Sequence, residues 1–190
     1  MRIGRLLSVV CLLVTTAVEA APPSPHISPK LAASCRPVVA DAGFVTPQGK
    51  AVALSEAVSG RPTALLVIKG YWCPVCQKQL RSTNALRGKL EAKGATVMGL
   101  STEDAGTNAM LMKKLGLSYP IYGEPSARLL ERLGFWSPKN GHPVPGILFL
   151  DRCGDVALRY FGRWPGRGQN DLIERTLDAL LAAPARCGDA

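Results

Sequence analysis

Histidine is nearly absent from this 190-residue chain: only His26 and His142 occur. A structural zinc site takes four nitrogen or sulfur ligands, so two histidines and a single Cys-x-x-Cys do not make one, and no metal is expected. Haem attachment needs a histidine directly after the second cysteine of such a pair, and Gln77 stands there. Aromatic residues make up 6% of the chain, and they do not interleave with the basic ones. The net charge of +9 therefore does not read as nucleic-acid binding. Lys69, Lys78, Arg87, Lys113, Arg132 and Arg159 are dispersed instead of forming one stripe. Such a charge suits an acidic partner or a negatively charged surface. The chain also lacks internal repeats and any apolar run long enough to span a bilayer comfortably.

The longest N-terminal apolar run, Leu6 to Val14, follows Arg2 and Arg5 and precedes Val18-Glu19-Ala20. Charged, apolar and small-residue parts in that order predict a secretory signal cleaved after Ala20; a retained anchor is the alternative. Cys11 has no Gly, Ala or Ser before it, which argues against a lipid-modified cysteine. The expected organisation is a signal peptide over 1–20, a Pro/Ser/Ala-rich flexible tether over 21–40, one domain over 41–183 and a tail over 184–190. Cleavage leaves no stable membrane span. The mature chain is then exported, to the periplasm in a Gram-negative bacterium and otherwise secreted. An oxidising compartment favours closed disulfides. Five cysteines remain there: Cys35, Cys73, Cys76, Cys153 and Cys187.

Thr63 to Ile68 is continuously apolar, as a central strand covered on both faces is. It runs into Trp72-Cys73-Pro74-Val75-Cys76. Beyond it Cys76, Leu80, Thr83, Leu86 and Leu90 recur at helical spacing up to a stop at Gly94. Two thiols on the first turn of a helix form a redox pair, because the helix N-terminus stabilises a thiolate at the first and brings the second within reach. A purely structural disulfide is the alternative, although so short a loop gains little from closure.

Elsewhere the pattern predicts a hairpin from Phe44 to Leu54, a turn of helix capped by Ser55, and a strand from Thr96 to Leu100 parallel to the first. It further predicts helices over Ala109–Leu115 and Ser126–Leu133 with a strand at Tyr119–Tyr122 between them. A proline-rich loop over Phe135–Pro145, a second hairpin from Ile147 to Phe161, and a helix over Leu172–Leu181 capped by Asn170 complete the reading. The basic loop Gly162 to Arg167 is a candidate rim of the site.

The first hairpin, strand–WCPVC–helix, and Val144-Pro145-Gly146 before an apolar strand stand in an order that resembles the thioredoxin-like superfamily. Within it the chain is most similar to the alkyl hydroperoxide reductase/thiol-specific antioxidant, or redoxin, branch. The resemblance implies an α/β thioredoxin-like fold, a central mixed β-sheet flanked by helices with an N-terminal β-hairpin. It puts Pro145 in the place of the superfamily's cis-proline, with Val144 offering backbone groups to a substrate chain. Peroxidases of the branch carry a threonine three residues before their cysteine and an arginine before the later apolar strand. Here Cys73 and Pro145 occupy those places.

Thiol–disulfide exchange is accordingly the expected reaction. Cys73 is the nucleophile and Cys76 the resolving thiol, with Trp72 and Pro74 in the docking surface. Glu103, after the second core strand, is a candidate for proton transfer. Peroxide reduction and a non-catalytic binding module are the alternatives. No cofactor is expected; the partners are protein or peptide thiols and disulfides, and a redox partner for the pair. By strand direction the resemblance also favours a Cys153–Cys187 bridge, worth up to about 4 kcal/mol in the chain-entropy model, with Cys35 as a competitor.

Overall fold

The computed structural model describes residues 43–161 and 167–184. The expected signal and tether, residues 185–190 of the expected tail, and residues 162–166 of the candidate rim loop lie outside the described residues. One seven-stranded mixed sheet organises the rest. The first hairpin, β1 (Gly43–Val45) with β2 (Ala51–Ala53), joins the sheet through one register pair, Val45 with Gly123 of β5 (Ile121–Gly123). At the centre β3 (Thr63–Val67) runs parallel to β4 (Thr96–Ser101), and β4 parallel to β5. On its other side β3 pairs antiparallel with β8 (Gly146–Leu150), and β8 with β9 (Val156–Tyr160). This is the mixed sheet with helices on both faces that the sequence predicts.

The unbroken apolar run of β3 is explained by what covers it. Ala64, Leu66 and Ile68 point to one core, with Leu80, Leu90, Phe149, Ile173 and Leu177. Leu65 and Val67 point to a second, with Phe44, Met98, Leu129, Phe135 and Leu148. A strand with apolar neighbours on both faces has no polar alternation to show.

Several boundaries differ from the expectation. The single helix predicted up to Gly94 is two: α2 (Pro74–Asn84) and α3 (Arg87–Ala92), separated by a tight turn in which the Leu86 N–H donates to the Thr83 carbonyl at 2.9 Å. In the last turn of α2 the Asn84 side chain accepts from the Ser118 N–H and hydroxyl (2.8 and 2.9 Å) and donates to the Gly116 carbonyl. Ser55 lies inside α1 (Leu54–Val58) and makes no cap. The next helix, α4 (Ala105–Leu115), starts a turn earlier than predicted because Asp104 caps it, accepting from the Thr107 N–H at 2.7 Å. That bond holds the Asp104 carboxyl below the usual carboxylate range. After α5 (Arg128–Arg132) the predicted loop contains a two-stranded ribbon, β6 (Trp136–Ser137) with β7 (His142–Pro143). The last helix, α6 (Arg167–Ala182), begins before Asn170. Asn170 is no cap; its amide donates to Ser82 Oγ at 2.8 Å and accepts from Gln79 and Thr83, docking α6 on α2.

Candidate active site

The parallel strands β3 and β4 end at one edge of the sheet, and β8, antiparallel to β3, starts there. Topology therefore brings Cys73, Glu103 and Pro145 to a common edge although they are far apart in the chain. After β3 the Ile68 N–H still pairs with the Leu100 carbonyl, and then the chain turns, the Cys73 N–H donating to the Gly70 carbonyl at 3.1 Å. Gly70 is required by a close approach: a Cβ there would lie 2.6 Å from Trp72 Nε1 and 3.1 Å from Glu103 Oε1.

Cys73 is the N-cap of α2, in extended conformation, and its Sγ accepts the Cys76 N–H at 3.2 Å. Pro74 follows at the first helical position, where its missing N–H costs nothing. The two sulfurs are joined as a disulfide, with Cα atoms 5.3 Å apart. When the bond opens, the same N–H and the helix dipole favour negative charge on Cys73. Cys73 is 6% exposed and Cys76 1%, so an incoming group reaches Cys73 first.

Two side chains clamp the residue before Trp72. Glu103 Oε1 accepts the Tyr71 N–H at 3.2 Å, and Gln77 Nε2 donates to the Tyr71 carbonyl at 2.6 Å. Glu103 is fixed in turn: its N–H donates to Ser101 Oγ, its carbonyl accepts from Asn108 Nδ2, and Ser101 Oγ donates to Asn108 Oδ1 at 2.8 Å. Gly123 packs so closely under the Glu103 carbonyl that a Cβ would sit 2.5 Å from it.

Glu103 thus lies at the site, engaged with the redox turn. Glu103→Gln keeps an acceptor oxygen and is expected to leave the rate of thiol oxidation and its pH profile nearly unchanged. Glu103→Ala is expected to slow it about tenfold, the scale of one charge-assisted hydrogen bond. Stopped-flow pH–rate profiles of both variants check this; a loss in the Gln variant with a displaced profile marks proton transfer instead.

Trp72 is half exposed, with Lys69 Nζ 5.1 Å above its ring and His142 edge-on at 6.0 Å. Val144 and Pro145 link β7 to β8. The Val144 N–H donates to the Phe135 carbonyl at 2.7 Å, so the backbone donor expected to meet a substrate chain is already engaged within the protein. Cys153 is disulfide-bonded. Its partner, like Cys35 and Cys187, lies outside the described residues. Gln77 and His142 are site neighbours that sequence reasoning missed as such. Gln77 had a signal, its place one turn past Cys73, whereas His142 arrives only through the β6–β7 ribbon.

Among the described residues no three His, Cys, Asp or Glu side chains gather as a metal site would require, and no helix is long and apolar enough to cross a membrane.

Comparison with known proteins bears on this arrangement at three levels. Peroxiredoxin Q, chloroplastic, of Gentiana triflora is 26% identical over 171 residues, 85% of this chain and 75% of that protein. Peroxiredoxin Q of Xanthomonas campestris superposes with a TM-score of 0.67 at 18% identity, over 76% of this chain and 94% of its own. Peroxidoxin BcpB of Mycobacterium tuberculosis superposes with a TM-score of 0.64 at 16% identity, over 75% and 93%. The AhpC/TSA family model matches residues 37–159, a stretch that runs from before the first hairpin through the Cys73–Cys76 turn to β9. With the sheet, the redox turn and Pro145 all inside that stretch, the chain belongs to the AhpC/TSA family.

Proposed function

We propose that this chain is an exported thiol peroxidase that reduces hydroperoxides with the Cys73/Cys76 pair and is returned to the dithiol form by disulfide exchange. In the first step the Cys73 thiolate attacks the terminal peroxide oxygen, the O–O bond breaks with the hydroxyl kept on sulfur, and the alkoxide leaves as the alcohol by taking a proton from solvent. Cys73 is then a sulfenic acid. In the second, the Cys76 sulfur attacks the Cys73 sulfur; the thiol proton and the hydroxyl leave together as water, and the disulfide forms. Two thiols of a reducing partner then restore both cysteines.

The observation that carries this reading is the dithiol at the N-terminus of α2 within an AhpC/TSA fold. Family membership favours peroxide as the oxidant over the exchange with a substrate protein expected from the motif. Exchange keeps a specific observation on its side: Cys73 and Pro145 stand where the branch has its peroxide-polarising threonine and arginine. The branch's own reacting cysteine thus falls at Cys76, and Cys73 takes the attacking role here on its place as helix cap and its greater exposure. The Cys73 Sγ environment, with one N–H donor and a helix dipole, supplies the activation that remains.

The two readings separate in one comparison. The fully reduced protein is mixed with cumene hydroperoxide and, separately, with a peptide–glutathione mixed disulfide at equal concentration. Oxidation is followed by tryptophan fluorescence, for which Trp72 is the reporter. Faster oxidation by the hydroperoxide supports the peroxidase; faster oxidation by the mixed disulfide makes exchange the primary reaction.

A further inference from the structure

Among the described residues five large apolar side chains are exposed: Tyr71, Trp72, Val75, Met110 and Phe161. Three of them lie within two positions of Cys73, and Pro74 beside them is exposed too. Reduction of a small peroxide needs no such surface, and holding apolar side chains in water is unfavourable. Both sulfurs are nevertheless buried, so a reductant reaches Cys73 only by fitting closely against its surroundings.

The charge around this ridge has one sign on two sides. Lys69 lies over the Trp72 ring. Lys78 is exposed and stands three residues after Val75, on the same helix face. The helix α2 contains Lys78 and Arg81 and no Asp or Glu. Glu103, a half-buried carboxylate at this edge, accepts the Tyr71 N–H.

We infer that Tyr71, Trp72, Pro74 and Val75, rimmed by Lys69 and Lys78, form the docking face for a protein dithiol whose own cysteines sit in an apolar surface with an acidic rim. This rests on the reading that the Cys73–Cys76 disulfide is re-reduced in each cycle. The partner's thiolate attacks Cys73 Sγ, the Cys73–Cys76 bond breaks, and Cys76 leaves as a thiolate. The partner's second thiol then attacks the mixed disulfide and releases Cys73. Two electrons and two protons pass to the pair, and the partner leaves as a disulfide. Apolar contact supplies the affinity and opposite charge the orientation and on-rate.

The test uses the full chain with its Cys73–Cys76 bond closed and two synthetic dithiol peptides, identical except that aspartates or lysines flank the cysteines and leucines. Each rate of reduction is divided by that variant's rate with dithiothreitol, which removes differences in intrinsic reducibility. The aspartate peptide is expected to act about tenfold faster than the lysine peptide at low ionic strength, with the gap narrowing as salt is added. Lys78→Glu is expected to close or invert the gap. Val75→Asp, an exposed change that the start of a helix tolerates, is expected to slow the aspartate peptide about tenfold. Equal rates for the two peptides, or a Val75→Asp variant that reacts like wild type, overturn the proposal. No peroxide enters this assay, so its failure leaves the peroxidase reading standing, and slow peroxide oxidation leaves this one standing.

Discussion

Cys73→Ser is expected to abolish peroxide turnover, by on the order of 10³-fold or more, because it removes the more exposed of the two sulfurs at the N-terminus of α2 and leaves Cys76 without a resolving partner. Cys76→Ser is expected to give a different loss. It leaves the Cys73 thiolate at the helix start, where its N–H donor is the backbone of residue 76 and survives the substitution. One equivalent of peroxide is then consumed and the enzyme stops as a sulfenic acid. Labelling with dimedone followed by mass spectrometry reads the difference: one adduct on residue 73 in the Cys76→Ser protein, none in the Cys73→Ser protein. The reverse pattern, an adduct on Cys76 with Cys73 replaced, exchanges the roles of the two sulfurs. The greater exposure of Cys73 is the physical ground for the assignment.

Leu80→Ala is expected to lower the unfolding free energy by about 3 kcal/mol, within the range for burying a cavity of that size. Leu80 is fully buried on the side of α2 that faces the sheet, in the same apolar cluster as Cys73, Cys76 and Phe149. The backbone there is also tied: the buried Tyr119 hydroxyl donates to the Leu80 carbonyl at 2.8 Å, and burial pushes the Tyr119 pKa up, keeping the donor protonated. Side-chain truncation leaves that bond in place, so the loss comes from packing alone. Urea denaturation of the oxidised protein measures it, with an unchanged m-value marking an unaltered surface change on unfolding. A loss below about 1 kcal/mol indicates that the neighbouring side chains collapse into the space.

The central strands and the redox turn were legible because their signals are local. A strand buried on both faces must be continuously apolar, and a Cys-x-x-Cys at a helix start carries its chemistry within one turn. Boundaries set by distant partners were not legible. α2 closes on a tight turn at Thr83–Leu86, with Asn84 tied to a loop more than thirty residues away, and helical periodicity through Leu90 carries no trace of the break. Asn170 resembles a helix cap in sequence and is instead a tether between two helices. The commitment of the Val144 N–H to Phe135 depends on the β6–β7 ribbon, for which two-residue strands leave no periodic trace. The motif alone does not separate peroxide from disulfide as the oxidant. The motif departs from its branch at Cys73 and Pro145, and only the match over 37–159 places the chain within the family.

The clamp on Tyr71 bears on how the cycle turns over. Its bonds run from Glu103 to the Tyr71 N–H and from Gln77 to the Tyr71 carbonyl, and neither uses a sulfur atom. Opening the Cys73–Cys76 bond therefore removes neither of them directly. Under the proposed cycle, a partner that docks beside Tyr71 would meet the spent and the recharged forms with the same clamp in place. The freshly reduced protein would then compete with the oxidised one for its own reductant, and throughput would fall as the reduced fraction rises.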